Sequence, residues 1–185
     1  KGYYFSTYKI EKALTVLDAL IEINENQDPT LAFRYNCRAG LCGSCGAVVN
    51  GNLVLTCTSN LKDFGQNIFV ESIHNLPLVK DLVIDFNPLF KKLKEVLPLM
   101  REKSRKITQM NERFNKSREC IQCGLCFSVC PSRAVESFVG PAALVAFYKY
   151  LRHPRIEIKE GLEKFKKEPQ LINPCIQCGF CTKVC

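Results

Sequence analysis

The chain has 185 residues, of which 46% are hydrophobic and 10% aromatic; this is enough for two small folded domains and argues against extended disorder. Its formal charge is +8, yet the lysines and arginines run along 91–118 and 149–167 without the interleaved aromatic residues of a single-strand nucleic-acid binder. These basic stretches predict solvated helix faces, and we expect no nucleic-acid partner.

The first predicted elements are a strand and a helix. Aromatic and β-branched residues over 3–10 predict the strand. Thr15 and Asp18 form a capping-box pattern, and the helical spacing of the apolar residues that follow predicts a helix ending at 24–26. Residues 31–35 then lead into the first group of cysteines as an extended segment.

A predicted hairpin follows that group of cysteines. Residues 47–49 and 53–55 are apolar, and the Asn-Gly-Asn sequence at 50–52 between them is typical of a tight turn. Residues 68–71 supply a further strand. The order of strand, helix, cysteine loop and hairpin predicts a β-grasp domain.

Helical patterns dominate the second half of the chain. Apolar residues over 89–100 are spaced as on one face of an amphipathic helix, Pro141 begins a second helix, and a shorter helix covers 160–166. The predicted fold class is therefore α+β. A β-grasp domain over 1–79 is followed by an α-helical domain over 80–185.

The ends of the chain and its apolar runs indicate whether further segments or a membrane span accompany these domains. The first residue is Lys1 rather than methionine, and the last, Cys185, belongs to a motif, so we expect the chain to be incomplete at both ends. The longest apolar run, 138–148, falls short of the about 20 residues that cross a bilayer. No transmembrane segment is predicted.

The twelve cysteines fall into three groups of four, with none left over. Group one is Cys37, Cys42, Cys45 and Cys57; group two is Cys120, Cys123, Cys126 and Cys130; group three is Cys175, Cys178, Cys181 and Cys185. Group one has the C-x4-C-x2-C spacing and later fourth cysteine of plant-type [2Fe–2S] ligation. Glycines in this loop let the backbone wrap a compact anion and direct its N–H groups at sulfur.

Groups two and three are two copies of the C-x2-C-x2-C-x3-C pattern that binds [4Fe–4S] clusters. Residues 120–126 and 175–181 differ at only one position in seven. Three closely spaced cysteines bind irons of one cluster, whereas the fourth points away and binds the other cluster. The predicted ligand sets are therefore crossed, with one [4Fe–4S] cluster on Cys120, Cys123, Cys126 and Cys185 and a second on Cys130, Cys175, Cys178 and Cys181. The cysteine motifs thus predict that the β-grasp domain is of the plant-ferredoxin type and that the α-helical domain is a two-cluster ferredoxin domain.

Zinc sites and disulfides are the alternatives for these cysteines. Zinc usually takes paired C-x2-C knuckles, and in group one only Cys42 and Cys45 form such a pair. The charge also fits clusters: each oxidised four-thiolate cluster carries about −2, so three of them offset roughly six of the positive charges.

No catalytic residue is predicted. The sequence has no nucleophile–base pair, P-loop or dinucleotide fingerprint, and His74 and His153 stand isolated in turn-like contexts that favour surface roles. Cluster cysteines must stay reduced until they bind metal. We therefore expect a chain in the cytoplasm or another reducing compartment rather than a secreted one.

The sequence around the first cysteine loop, residues 33–46, resembles the iron–sulfur subunit of succinate dehydrogenases and fumarate reductases. The stretches 79–85 and 138–144 resemble that family too, so the resemblance covers nearly the whole chain. It implies a relay in which electrons pass between a flavoprotein subunit with covalent FAD, where succinate and fumarate interconvert, and a membrane-anchor subunit or other acceptor. The [2Fe–2S] domain is expected to face the flavin. The resemblance also implies a cytoplasmic chain that is held peripherally on the inner face of the cytoplasmic membrane through its partners.

Three departures from the family's pattern concern the far end of this relay. Most members lack a cysteine at the place of Cys178 and hold [3Fe–4S] there, whereas Cys178 here completes a second [4Fe–4S] site. The family's tryptophan after the Cys-Pro-Ser motif is absent, and its histidine after the first cysteine of group three is Ile176. The pattern is similar to variants whose distal partner is a cysteine-rich heterodisulfide-reductase-like subunit or domain, acting on a quinone or a thiol pair. A free-standing polyferredoxin-type carrier is the alternative function.

Overall fold

The structure is a computed structural model that describes residues 4–96, 101–102, 117–151, 156–157 and 159–185. The backbone forms two compact units, one from Lys1–Ile73 and Leu78–Ile84, the other from His74–Pro77 and Asp85–Cys185. Residues 80–84 thus belong with the first unit, past the end of the predicted first domain. The domain boundary between residues 79 and 80 stays a prediction.

The helix of the first unit begins where the sequence predicts. Helix α1 spans Val16–Asn26, and Thr15 is its N-cap. Thr15 Oγ1 accepts a hydrogen bond from the Asp18 N–H at 3.1 Å, and the Asp18 carboxylate accepts one from the Thr15 N–H at 2.9 Å. The predicted capping box is therefore confirmed, and the bond from the Thr15 backbone is the main reason that the pKa of Asp18 is lowered.

Loss of this cap should weaken the first unit. We expect Thr15→Ala to lower the free energy of unfolding by about 1 kcal/mol, the usual worth of an N-cap hydroxyl. Because the pKa of Asp18 is lowered in the folded chain, its contribution is complete above the ordinary carboxyl pKa of about 3.9 and is lost as the pH falls through the lowered value. Urea unfolding at pH 7 and in this acidic range measures both effects. Thr15→Ser keeps the hydroxyl and is the control, so equal losses in both variants would contradict a role for the cap.

The sheet of the first unit has three antiparallel strands in the order β2-β1-β3. Their bounds are Gly46–Val49 for β1, Asn52–Leu55 for β2 and Val70–Glu71 for β3. Asn50 and Gly51 adopt φ of 46° and 79°, as a two-residue hairpin turn requires. The predicted hairpin is confirmed, and the strand predicted over 68–71 is present in shortened form. A separate ladder pairs β4 (Leu78–Lys80) with β5 (Val83–Ile84).

The strand predicted over 3–10 is wrong for its described part, since residues 4–10 form no strand. Side chains that follow α1 bind this segment instead. The Tyr8 hydroxyl donates to Asp28 at 2.7 Å, and the Gln27 side chain hydrogen-bonds to both the N–H and the C=O of Lys9. Strand propensity predicts an extended backbone, but it does not predict which groups form hydrogen bonds with that backbone. The β-grasp assignment, which used this strand, stays a prediction.

The core of the first unit contains two of the predicted ligands. Cys45 and Cys57 are buried together with Leu17 of α1. The partly buried side chains packed against them are Ile21, Phe33 and Leu55. The Leu17 N–H also donates to the carbonyl of Thr56 at 3.0 Å, which fixes α1 beside the fourth cysteine of the group.

Helices are the main regular structure in the described part of the second unit. They are α2 (Asn87–Val96), α3 (Leu125–Val129), α4 (Pro141–Leu151), α5 (Lys159–Lys167) and α6 (Phe180–Lys183). The three predicted helices are confirmed where the residues are described, while 97–100 and His153 lie outside those residues. A short ladder of β6 (Arg101–Glu102) and β7 (Ile156–Glu157) was not predicted, because two-residue strands leave no periodic pattern.

The core of the second unit forms where α2 and α3 pack against α4. Leu89 and Leu93 of α2 are buried, as are Phe138 and Val139 just before α4. The Val139 N–H donates to the Leu171 carbonyl at 3.1 Å, which joins the start of α4 to the segment before the third cysteine group. No helix within the described ranges is long and apolar enough to cross a membrane.

Candidate iron–sulfur sites

The first cysteine loop directs backbone N–H groups at thiol sulfur. Three of them donate to Sγ of Cys37 at 3.1–3.4 Å, those of Ala39, Leu41 and Cys42. The Gly40 N–H donates to Sγ of Cys57 at 3.3 Å, which ties the fourth cysteine of the group to the loop. Donors arranged in this way stabilise thiolate charge, as the glycine-rich sequence predicts.

Gly40 is needed in this loop for two reasons. Its φ is +69°, a backbone conformation that residues with a Cβ rarely adopt. A Cβ at this position would also lie 3.0 Å from Thr58 Cγ2, next to Cys57. Glycine here therefore lets the loop close on the fourth cysteine without backbone strain or displacement of Thr58.

Ser44 is a functional residue that the sequence analysis missed. Its Oγ lies 3.0 Å from Sγ of Cys42. A hydrogen bond from the Cys37 backbone and one from the Ser44 hydroxyl lower the pKa of Cys42 to about 6, whereas burial raises the pKa of Cys57 to about 11. A serine two residues after a cysteine is a local hydrogen-bonding pattern that could have pointed to this contact.

Ser44→Ala should lower the reduction potential of the [2Fe–2S] cluster predicted in this loop. A ligated thiolate has no proton, so the hydroxyl is the donor, and it stabilises the more negative reduced state more than the oxidised state. A differential loss of about 1 kcal/mol corresponds to roughly 40 mV for a one-electron couple. Potentiometric titration followed by EPR measures the shift. Ser44→Thr keeps the hydroxyl and should stay near the natural potential; equal potentials in the natural chain and the alanine variant would contradict the prediction.

The second and third cysteine loops share their backbone conformation at two equivalent positions. Gln122 and Gln177 both adopt φ of 56°, and Gly124 and Gly179 adopt φ of 81° and 75°. Each glycine immediately precedes a short helix, α3 in one loop and α6 in the other. The repeat seen in the sequence is therefore also a repeat in conformation.

The two loop glycines form a matched pair for a stability test. An alanine costs about 1–2 kcal/mol in this conformation at either position. A Cβ on Gly124 would also lie 3.0 Å from Cε1 of Phe86, whereas nothing lies within 4 Å of one on Gly179. We expect Gly124→Ala to lower the free energy of unfolding by roughly 1 kcal/mol more than Gly179→Ala because of this overlap. Urea unfolding compares the two variants. Equal losses in the free energy of unfolding would mean that the Phe86 ring moves aside without a measurable loss of stability.

Thiols of the two later groups lie within electrostatic reach of one another. Burial raises the pKa of Cys126 to about 12, and the thiols of Cys123, Cys120, Cys185 and Cys181 add to the rise. Cys185, the fourth cysteine of group three, thus stands near group two. Burial also raises the pKa of Cys130, with further contributions from Cys181 and Cys175 of group three. Each fourth cysteine has the other group as its neighbour, as the crossed arrangement requires.

The donor sets fit clusters better than single ions. Within the described ranges no three cysteine, histidine or carboxylate side chains converge on one point as ligands of a single metal ion do. In a [4Fe–4S] site each cysteine binds a different iron atom, and in a [2Fe–2S] site each iron takes two cysteines, whereas a zinc site needs four sulfurs about 2.3 Å from one ion. The N–H cradle of the first loop and the all-thiol sets suit the clusters; the assignment of individual cysteines to clusters stays a prediction.

Comparison with known proteins identifies both halves of the chain. Residues 2–91 match the 2Fe-2S iron-sulfur cluster binding domain, and residues 116–185 match the 4Fe-4S dicluster domain. The fumarate reductase iron-sulfur subunit of Escherichia coli O6:H1 is 31% identical over 92% of this chain and 74% of its own length. The mitochondrial succinate dehydrogenase [ubiquinone] iron-sulfur subunit of Dictyostelium discoideum is 32% identical over 98% of this chain and 71% of its own. The chain belongs to this family of iron–sulfur subunits.

A solved structure supports the same membership for this iron–sulfur subunit. A chain of the Mycobacterium smegmatis Sdh1 complex in the apo form superposes with a TM-score of 0.83 at 28% identity, covering 95% of this chain and 78% of that one. The predicted family and its oxidoreductase class are confirmed, as is the order of a 2Fe-2S domain followed by a 4Fe-4S domain. As an iron–sulfur subunit of that class, the chain has an electron-transfer role rather than a catalytic one.

Another relative is much longer than this iron–sulfur subunit. An uncharacterized iron-sulfur protein of Methanococcus maripaludis is 30% identical over 98% of this chain, which spans only 38% of the length of that protein.

Proposed function

We propose that the chain relays electrons in a complex of the succinate dehydrogenase or fumarate reductase type, between an FAD-containing flavoprotein subunit and a quinone or thiol/disulfide partner. The observation that carries this proposal is the grouping of all twelve cysteines into one cradled loop and two loops of equal conformation. When bound, the clusters supply one-electron carriers. The residues of this chain hold them, exclude water and set their potentials.

The proposed ligands follow from the spacing and the contacts together. Cys37, Cys42, Cys45 and Cys57 hold a [2Fe–2S] cluster, and the crossed sets Cys120, Cys123, Cys126, Cys185 and Cys130, Cys175, Cys178, Cys181 each hold a [4Fe–4S] cluster. The buried positions of Cys45 and Cys57 support a water-excluded first site. Thiols of group three raise the pKa of Cys126 and of Cys130 in group two, which supports the two crossed sites.

We propose that the distal partner is not an ordinary quinone-binding membrane anchor. Residues 133–135 follow the Cys-Pro-Ser motif without the tryptophan that the resembled family has after it, and the Arg133 guanidinium donates to Asn75 Oδ1. Ile176 replaces the family's histidine. These exchanges, with Cys178, favour a cysteine-rich heterodisulfide-reductase-like subunit or domain, or a membrane anchor with an altered pocket. The chain would then be cytoplasmic and peripheral to the membrane through its partners.

Purification from the native source tests this proposal. An affinity-tagged chain should bring down a large FAD-containing subunit in stoichiometric amount, together with a distal partner, and dithionite reduction should show three clusters by EPR and iron analysis. A monodisperse three-cluster chain without flavin would favour the alternative, a free-standing polyferredoxin-type carrier. A protein that contains zinc and neither iron nor sulfide would end both redox functions.

A further inference from the structure

A short segment from the first half of the sequence, His74–Pro77, lies in the second unit although it precedes the predicted domain boundary. Leu76 is buried there, and Asn75 beside it adopts φ of +70°. After glycine, asparagine is among the residues that enter this left-handed region most readily. The segment brings the Asn75 side chain to α3 and to the turn after it, which carries Cys130.

Both polar atoms of the Asn75 side chain are hydrogen-bonded. Nδ2 donates to the Ser128 carbonyl at 2.6 Å, and Oδ1 accepts a hydrogen bond from the Arg133 guanidinium. The Ser128 hydroxyl donates in return to the His74 carbonyl at 2.7 Å, and Ser128 is 1% exposed. Ser128 lies two residues before Cys130, and Arg133 lies three residues after it. One side chain therefore joins the two ends of the turn that holds this predicted ligand.

The Ser128 carbonyl needs a donor because of its place in α3. The last four carbonyls of a helix have no partner within the helix, and α3 ends at Val129. Asn75 supplies the donor from 53 positions away in the sequence. Because Cys130 directly follows the helix, this contact fixes the backbone that carries the Cys130 thiol.

The turn also directs backbone N–H groups at Cys130. Those of Ser132 and Arg133 donate to its thiol, and these bonds oppose the rise that burial causes in the pKa of Cys130. The backbone of Arg133 thus contacts the predicted ligand, while its side chain is held by Asn75. The guanidinium therefore has a fixed place within one side-chain length of the sulfur that the proposed distal cluster uses.

The Arg133 guanidinium has a further donor. Its Nε is buried and has no hydrogen-bond partner within the described part of the chain. Buried donors are nearly always paired, because a buried N–H without an acceptor lowers stability. The sulfide and thiolate sulfurs of a cluster on Cys130 are acceptors of the required kind, and their negative charge matches the cation.

We propose that Arg133, held by Asn75, sets the reduction potential of the cluster that Cys130 binds, by fixing one positive charge beside it. Asn75 is a positioning residue, since it acts through Arg133. This inference rests on the proposed cluster sites. A fixed cation favours the reduced state of a cluster, because that state carries one more negative charge than the oxidised state. Arg133 therefore makes this cluster easier to reduce.

Potentiometric titration followed by EPR, on the complex purified from the native source, tests the inference. Arg133→Gln should lower the potential of one [4Fe–4S] cluster, so that its ratio of reduced to oxidised form at a given ambient potential falls by about tenfold, or about 59 mV. Arg133→Lys keeps the charge and should shift this potential less. Lys166→Gln removes an exposed cation from the same unit and is the control; it should leave all three potentials in place.

Asn75→Gly separates positioning from a general effect on the fold. Glycine adopts φ of +70° without strain, so the variant loses the side-chain amide and keeps the backbone. We expect the potential of the same cluster to fall by less than in Arg133→Gln, because solvent screens the released guanidinium. In the Arg133→Gln background, Asn75→Gly should add little, since the residue through which it acts is already gone.

The outcomes separate this inference from the function on which it rests. Three unchanged potentials in Arg133→Gln, or an equal shift of all three, would overturn the inference and leave the proposed function standing. If Arg133→Gln loses iron, the other two variants decide: an unchanged potential in Asn75→Gly, or iron loss in both Asn75→Gly and Arg133→Lys, would show a purely structural role. A natural chain without iron–sulfur clusters ends the proposed function, and the inference fails with it.

Discussion

Cys178→Ser should convert the distal cluster toward [3Fe–4S] and leave the rest of the chain assembled. A serine oxygen is a poor ligand for iron of an iron–sulfur cluster compared with a thiolate, and Cys178 is exposed, so the iron that it holds is accessible to solvent. The predicted remaining ligands, Cys130, Cys175 and Cys181, keep the other irons. The oxidised protein should gain an EPR signal that the natural chain lacks, and its iron content should fall by the atom lost.

The matched control is Cys123→Ser, at the equivalent position of the second loop. Cys123 is less exposed than Cys178, and burial is the main reason that its pKa is raised. Loss of this thiol leaves a serine in a covered loop, so we expect the second-loop cluster to assemble poorly and the distal cluster to keep its natural spectrum. An oxidised spectrum of Cys178→Ser equal to that of the natural chain would show that Cys178 is not a cluster ligand.

Features set by a few neighbouring residues could be predicted from the sequence. The capping box of Thr15 and Asp18 and the hairpin turn at Asn50 and Gly51 depend on contacts within a few positions, and both are present. The cysteine loops belong to the same class, because their spacing and glycines fix the backbone over seven to ten residues. The equal φ angles of Gln122 and Gln177 follow from this local control.

Features that depend on distant partners could not be predicted. The segment 4–10 has strand propensity, yet the side chains of Gln27 and Asp28 take its hydrogen bonds, and nothing near residue 8 in the sequence shows this. The cover of Gly124 by Phe86 joins residues about forty positions apart. Near-identity of two loop sequences therefore predicts equal backbone conformation, but it does not predict equal burial.

Crossed and uncrossed ligation differ in which cluster Cys130 and Cys185 bind, so these two cysteines test the arrangement most directly. Cys130 follows the second loop, but the thiols that raise its pKa, after burial, are Cys181 and Cys175 of the third. Cys185 ends the third loop and contributes to the raised pKa of Cys126 in the second. Removal of either thiol should therefore damage the cluster of the loop to which it does not belong in sequence.

The Cys178→Ser variant supplies the reporter for this test, because its converted distal cluster has an oxidised EPR signal of its own. Adding Cys130→Ser should abolish that signal, since it removes a second ligand from the same cluster. Adding Cys185→Ser should leave the signal in place and reduce the iron held by the second loop. Uncrossed ligation requires the reverse result for both double variants, so the two arrangements are distinguished by which serine removes the reporter.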